Sequence, residues 1–188
     1  MGQVADGATQ QLRERVIAAS ESDVWDEAVQ EWDIAGAVDN GEPTETCACG
    51  QVGLRYLFTI KNRVTGETIF PIGSTCIRKF GVDALDDDID AWQQAFALMA
   101  AAEKLGRGRE VGLWDGAFSR KLIGFLAEQG AFDNDPDPRW EVKSFLMRMF
   151  NARYRSGAQV MRVKAIIHND VYPWLRNLYR RTRLETRA

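Results

Sequence analysis

Apolar residues along this chain recur first at helical spacing, then in alternation, then at helical spacing again. Leu12, Val16 and Ile17 share one face of a helix predicted over residues 11–20. Ser20 and Ser22 interrupt it, and Ser22 suits the N-cap of a second short helix with Trp25, Ala28, Val29 and Trp32 on its buried side. Asp39-Asn40-Gly41-Glu42-Pro43 is a loop. Leu54, Tyr56, Phe58 and Ile60 then alternate with Arg55, Thr59 and Lys61, the period of a half-buried strand. Asn62-Arg63-Val64-Thr65-Gly66 reads as a turn, with glycine where a positive φ is wanted. Residues 67–72 return as a second strand, with Thr68, Phe70 and Ile72 on one face and Pro71 suited to an edge.

Beyond this hairpin the period is helical. Residues 77–80 form one turn, and 86–105 a strong helix with Ile89, Trp92, Phe96 and Met99 on one side. Asp86, Asp87, Asp88 and Asp90 fall at its start, where the helix dipole favours acids. Gly106-Arg107-Gly108-Arg109 is a linker; it lacks the Lys-Ser/Thr ending of a phosphate-binding loop. Ser119 caps a helix that buries Leu122, Phe125 and Leu126 and stops at Gly130. Residues 133–138 are a loop, 141–152 a helix burying Phe145, Leu146 and Met149, and 153–157 a turn. From Gln159 onward Val160, Val163, Ile167, Val171, Trp174 and Leu178 hold one face, with Pro173 forcing a kink or a restart. The expected class is α+β: mainly helical, with one small β-hairpin whose flanking Cys47-x-Cys49 and Cys76, in the order knuckle, hairpin, helix, resemble a treble-clef zinc finger. The segments are N-terminal helices (1–45), the knuckle and hairpin (46–82), and a helical region with a basic C-terminal helix pair (83–188). The expected core includes Trp25, Phe58, Ile60, Ile72, Trp92, Phe96, Leu122, Phe125, Phe145, Val163, Ile167 and Trp174.

Composition adds bounds. At 188 residues, 45 % hydrophobic and 27 % charged, the chain fits one domain or two small ones. No apolar run reaches the roughly 18 residues of a membrane span, and the N-terminus lacks a signal layout, so the expectation is a cytoplasmic protein. The net charge of −3 hides an asymmetry. Residues 139–188 carry twelve Lys and Arg against Glu141, Asp170 and Glu185, a net +9, leaving −12 on residues 1–138. A polyanionic partner at the C-terminal end is one reading, and pairing of the two halves within the protein is the other.

All three cysteines lie in one short segment: Cys47 and Cys49 in Cys-Ala-Cys-Gly before the hairpin, Cys76 just after it. In a reducing compartment such clustering favours a metal over a disulfide. Zinc takes four tetrahedral ligands, commonly thiolates and imidazoles. The glycine lets the knuckle turn and offer N–H groups to sulfur. Cys76 starts a helix whose dipole would favour its thiolate. The fourth ligand stays open between His168, the single histidine, and Asp83, Glu45 or water. A Cys–His nucleophile would need His168 beside a cysteine, and thiols in a knuckle serve more often as ligands.

Cys47-x-Cys49-Gly50, Asn62-x-x-Thr65-Gly66-Glu67 and Ile72-Gly73-Ser74-x-Cys76-Ile77-x-x-Phe80 resemble a poorly characterised bacterial and phage protein family. Its members share a Cys-x-Cys-Gly…Asn-x-x-Thr-Gly…Gly-Ser-x-Cys-Ile core joined to a helical C-terminal region. The resemblance implies a zinc-finger-like fold and no settled activity. Some relatives carry a further Cys or His in the first strand, where this chain has Tyr56 and Leu57.

The two C-terminal helices and their turn also match a helix-turn-helix or a plain helical hairpin. Arg153, Arg155, Arg162, Lys164, Arg176, Arg180, Arg181 and Arg183 would supply phosphate contacts to DNA or RNA. No repeated histidine, paired-carboxylate signature or phosphate cradle points to catalysis. The expected function is therefore a non-catalytic, zinc-stabilised nucleic-acid-binding accessory protein, phage-encoded in type. The alternative is an interaction module that binds and modulates a host protein.

Overall fold

The computed structural model describes residues 2–105 and 111–185; the Gly106–Arg109 linker lies outside the described residues. The fold is α+β and mainly helical, with a three-stranded and a two-stranded antiparallel sheet. Among the described residues no helix is long and apolar enough to cross a membrane. The described residues fall into two compact units, 2–89 with 182–185 and 90–181.

The first unit holds helix α1 (Gly2–Ala18), a single turn α2 (Trp25–Ala28), a 3-10 turn (Val29–Glu31), and strands β1 (Trp32–Asp39), β2 (Glu45–Thr46), β3 (Val52–Leu54), β4 (Tyr56–Asn62) and β5 (Thr68–Ile72). The short helix α3 (Ser74–Arg78) and the start of α4 (Asp83–Leu105) follow. β4 runs between β1 and β5, antiparallel to both. Leu12 and Val16 of α1 are buried, as their spacing predicts, and Phe58, Ile60, Ile72 and Ile77 are fully buried in the same unit.

Two sequence expectations change here. The predicted second helix ends at Ala28, and Trp32 opens β1 instead of closing a helical face. Trp32 is buried either way, at 1 % exposed, but pairing with β4 (Trp32↔Asn62, Ile34↔Ile60) overrides the local helical spacing. Ser22 is not the N-cap: Val24 takes that place, and its N–H reaches the Ser22 hydroxyl at 3.1 Å.

The second change concerns β5, where Ile69 and Ile72 are buried and Phe70 is exposed. Register explains it. Phe58 faces Ile72 and Ile60 faces Ile69, so three residues of β5 span two of β4. The extra residue is a bulge that turns Ile69 and Ile72 to one side. Pro71 sits in that bulge on an edge strand, where a missing N–H is tolerated.

The second unit contains the rest of α4 with α5 (Arg120–Glu128), α6 (Arg139–Asn151), α7 (Gly157–Ile166) and, as far as Arg181, α8 (Tyr172–Glu185). The Ser119 hydroxyl accepts the Leu122 N–H at 3.0 Å, the predicted cap. At the other end of α5, Ala131 N–H reaches Leu126 O and Gly130 N–H reaches Ala127 O, with Gly130 at φ +77°. That pair of bonds is the left-handed glycine stop of a Schellman motif. Trp92 packs edge-on against Phe125 at 5.0 Å, within a core of Leu122, Leu126, Phe132, Leu146, Val163 and Ile167. Trp25, Phe145 and Trp174, expected in the core, are only partly buried.

Pro173 does not break the last helix outright. A π turn (Ile167–Val171) joins α7 to α8, and Tyr172 donates back to Ile167 O, five residues earlier. The wider turn shifts the hydrogen-bond register just before the residue that has no N–H to give.

Candidate metal centre and basic surface

Three backbone contacts hold the knuckle. Cys47 N–H donates to Gln51 O (2.8 Å) and Gly50 N–H to Cys47 O (2.7 Å), closing a turn in which Gly50 has φ +88°. Ala48 N–H donates to Pro71 O at 2.8 Å, which ties the knuckle to the bulge of β5. Two residues later Gly73 N–H points at Cys47 Sγ at 3.3 Å. Chain segments 27 residues apart thus meet, and Cys76 of α3 faces Cys47 and Cys49.

All three thiols are buried and free, and their sulfur atoms lie within 4.8 Å of one another. Cys76 Sγ is 3.6 Å from Cys47 Sγ and 3.2 Å from Cys49 Sγ. A tetrahedral ion with metal–sulfur bonds of about 2.3 Å separates its thiolates by about 3.8 Å. To seat such an ion Cys76 would open by about 0.2 Å from Cys47 and about 0.6 Å from Cys49. The donor set also fits: three soft thiolates suit zinc and other thiophilic ions.

The electrostatics of the bare triad show what a cation would relieve. The Cys76 thiol's hydrogen bond, acting against burial and joined by the N–H groups of Cys49 and Gly73, holds Cys47 down at about 5. The same contact, with burial and Cys49, pushes Cys76 well above the ordinary thiol range. In the bare triad the neighbouring thiols and burial thus outweigh any helix-start effect on Cys76. α3 has five residues, and the Cys76 N–H is spent on Gly73 O at 2.9 Å. N–H donation to sulfur comes from Cys49 and Gly73, not from Gly50.

Of the proposed fourth ligands, Glu45 and Asp83 do not join the cluster, and His168 belongs to the second unit. Asp83 instead opens α4, where an acid meets the helix dipole.

The Asn-x-x-Thr-Gly block has a structural role that spacing alone gave only as a turn. Asn62 is fully buried. Its Oδ1 accepts the N–H groups of Val64 (2.8 Å) and Thr65 (2.9 Å), and its Nδ2 donates to Glu31 Oε2 at 2.7 Å. Glu31 also accepts the N–H groups of Glu21 and Ser22, and the Thr65 hydroxyl donates to Ala19 O. The hairpin turn is thereby bound to the segment between α1 and α2.

In the second unit the predicted phosphate contacts divide. Arg153, Lys164 and Arg176 are exposed. Arg162 is held by Asp135 (2.6 Å) and Asp137 (2.9 Å), and Arg155 donates to Met149 O and lies 4.4 Å over the Trp114 ring. The side chains of Arg180, Arg181 and Arg183 lie outside the described residues. α6 and α7 are joined by five residues, and a Ser156–Gln159 capping box starts α7. Trp140, Tyr154 and Met161 of this region are 65 %, 83 % and 66 % exposed. Sequence reading missed Asp135 and Asp170, whose carboxyls are buried together beside Arg162.

Compared with protein-family models, curated proteins and solved structures, the chain matches none.

Proposed function

We propose that this protein is a non-catalytic, zinc-stabilised accessory protein, phage or bacterial in type, that binds nucleic acid through its basic C-terminal region. The observation that carries the metal part is the convergence of three buried thiols from the two ends of a hairpin. Zinc is the ion this donor set favours in a protein whose thiols stay reduced. For the nucleic-acid part, the support is the +9 segment together with exposed Arg153, Lys164 and Arg176.

Metal analysis of the purified protein beside Cys76→Ser tests the first part: about one zinc per chain is expected for the parent and a clear loss for the variant. DNA and RNA binding measured against salt concentration tests the second. Affinity should fall steeply with salt, and joint replacement of Arg153, Lys164 and Arg176 should flatten that slope by about three phosphate contacts. No binding at low salt would reject the nucleic-acid reading.

A second reading, a module that docks on a host protein, is favoured by the exposed Trp140, Tyr154 and Met161, since large exposed apolar groups mark interaction surfaces. A nuclease-resistant partner lost with Trp140→Ala would support it over the first.

A further inference from the structure

We propose that the three-thiol centre is an open site: its fourth donor comes from solution, through the pocket beside Cys47 and Cys76, and is a small thiol. This rests on the metal reading above. Three features support it. First, the first unit gathers only three donors: among its described residues no carboxylate stands with the thiols, and none is a histidine. Second, the cluster is not sealed on every side. A pocket of about 260 Å³ reaches Cys47 and Cys76, between the β3–β4 segment and the start of α3. Its walls include Gln51, Tyr56, Ser74 and Thr75. The Arg55 guanidinium at its edge is already engaged by both Asp39 oxygens, at 2.8 and 2.9 Å, so the pocket is not built around a free cation.

The third feature is the match of chemistry. Three thiolates and a divalent ion carry a net charge of −1, and a fourth thiolate gives the charge of an ordinary four-cysteine site. Soft donors favour a soft fourth partner. The hydroxyls of Ser74 and Thr75 and the Gln51 amide suit the polar end of a low-molecular-weight thiol, and the cavity is large enough for one. The incoming thiol gives up its proton to solvent as its sulfur becomes a ligand, and no oxidant or reductant is involved.

The test uses the full chain with cobalt in place of zinc, titrated with 2-mercaptoethanol. The sulfur-to-cobalt charge-transfer band should grow by about one third, the step from three thiolates to four, and saturate. The His168→Ala protein should respond identically. Thr75→Trp, at an exposed wall position, should weaken the thiol response at least tenfold while cobalt stays bound.

A spectrum that ignores the thiol while cobalt stays bound overturns the proposal. So does a His168→Ala change that alters the spectrum before any thiol is added, because the fourth donor is then part of the chain. Loss of the bands as thiol is added means that the thiol strips the metal, and also overturns it. If no charge-transfer band forms at all, the metal reading itself has failed, an outcome separate from the others.

Discussion

Replacing Asn62 by Asp changes one atom in a buried network and turns a favourable contact into a repulsive one. The substituted side chain keeps the oxygen that accepts from Val64 and Thr65, so those two bonds can persist while the turn loses its tie to Glu31. The Nδ2 donor, 2.7 Å from Glu31 Oε2, becomes an oxygen facing a carboxylate. Burial pushes the Glu31 carboxyl up, but the Asn62 amide and the N–H groups of Glu21 and Ser22 outweigh it and hold Glu31 below its usual range. Loss of that charge-assisted bond costs about 1.5–3 kcal/mol. At neutral pH one of the two carboxylates must also take up a proton or move apart, a further cost kept small by solvent around the partly exposed Glu31. For a protein of this size 3 kcal/mol lowers Tm by roughly 6–12 °C.

Denaturant and thermal unfolding across pH provide the assay for Asn62→Asp. The deficit should be largest near neutrality and shrink towards about pH 4.5, where one carboxyl keeps its proton and donates to the other. Adding Glu31→Gln should recover part of the loss, because the amide introduced there can donate to the new carboxylate. Recovery is incomplete, since Glu21 N–H loses its acceptor. Coupling above about 1 kcal/mol in this double-mutant cycle is expected. Parent-like stability of Asn62→Asp at neutral pH, or a deficit that does not vary with pH, would refute the reasoning.

Asp170 makes the opposite pH prediction. Burial, then the neighbouring Asp135, raises it from 3.8 to about 6, so the folded protein holds a proton that the unfolded chain releases. Stability should therefore fall as pH rises from about 4 to about 6, and Asp170→Asn should stabilise by up to ~3 kcal/mol above that window and by little below it, read from Tm against pH. Gly130→Ala should cost about 1–2 kcal/mol in chemical unfolding, since it forces a side chain into a left-handed conformation. Its Cβ would also lie 2.6 Å from the Asp133 carboxylate, which is paired with Arg139. A neutral effect would show that the turn relaxes.

Legibility followed the range of the forces involved. α4, α5 and the β4–β5 turn were readable because their signals are local: apolar period, a Ser119 cap, a Gly130 stop. β1 was not, because Trp25, Ala28, Val29 and Trp32 imitate a helix, while the pairing that makes Trp32 a strand residue comes from Asn62, thirty residues on. The cysteine cluster was visible in spacing alone. Its buttress was not, since nothing near Asn62 announces Glu31 as its partner. Arg162 read as a free phosphate contact because the acids that hold it, Asp135 and Asp137, look like solvated loop residues until the chain is folded.

The Asn62 network and the thiol triad occupy opposite ends of the β4–β5 hairpin, and this links them. β5 is five residues long, roughly 17 Å. At one end the Asn62 turn fixes where β5 begins; at the other, Pro71 O and Gly73 N–H fix where the knuckle sits. A register slip at the turn would move Cys76 away from Cys47 and Cys49, because side chains alternate along a strand. Metal binding, which requires the folded arrangement, should therefore be weakened by Asn62→Asp although no ligand is touched, and excess metal should restore part of the lost Tm. The check is competitive zinc titration of both proteins near neutral pH, repeated at about pH 5 with a pH-matched parent. Equal affinities at both pH values would show that the turn and the thiols act independently, and that the bulge at Pro71 absorbs any slip before it reaches Cys76.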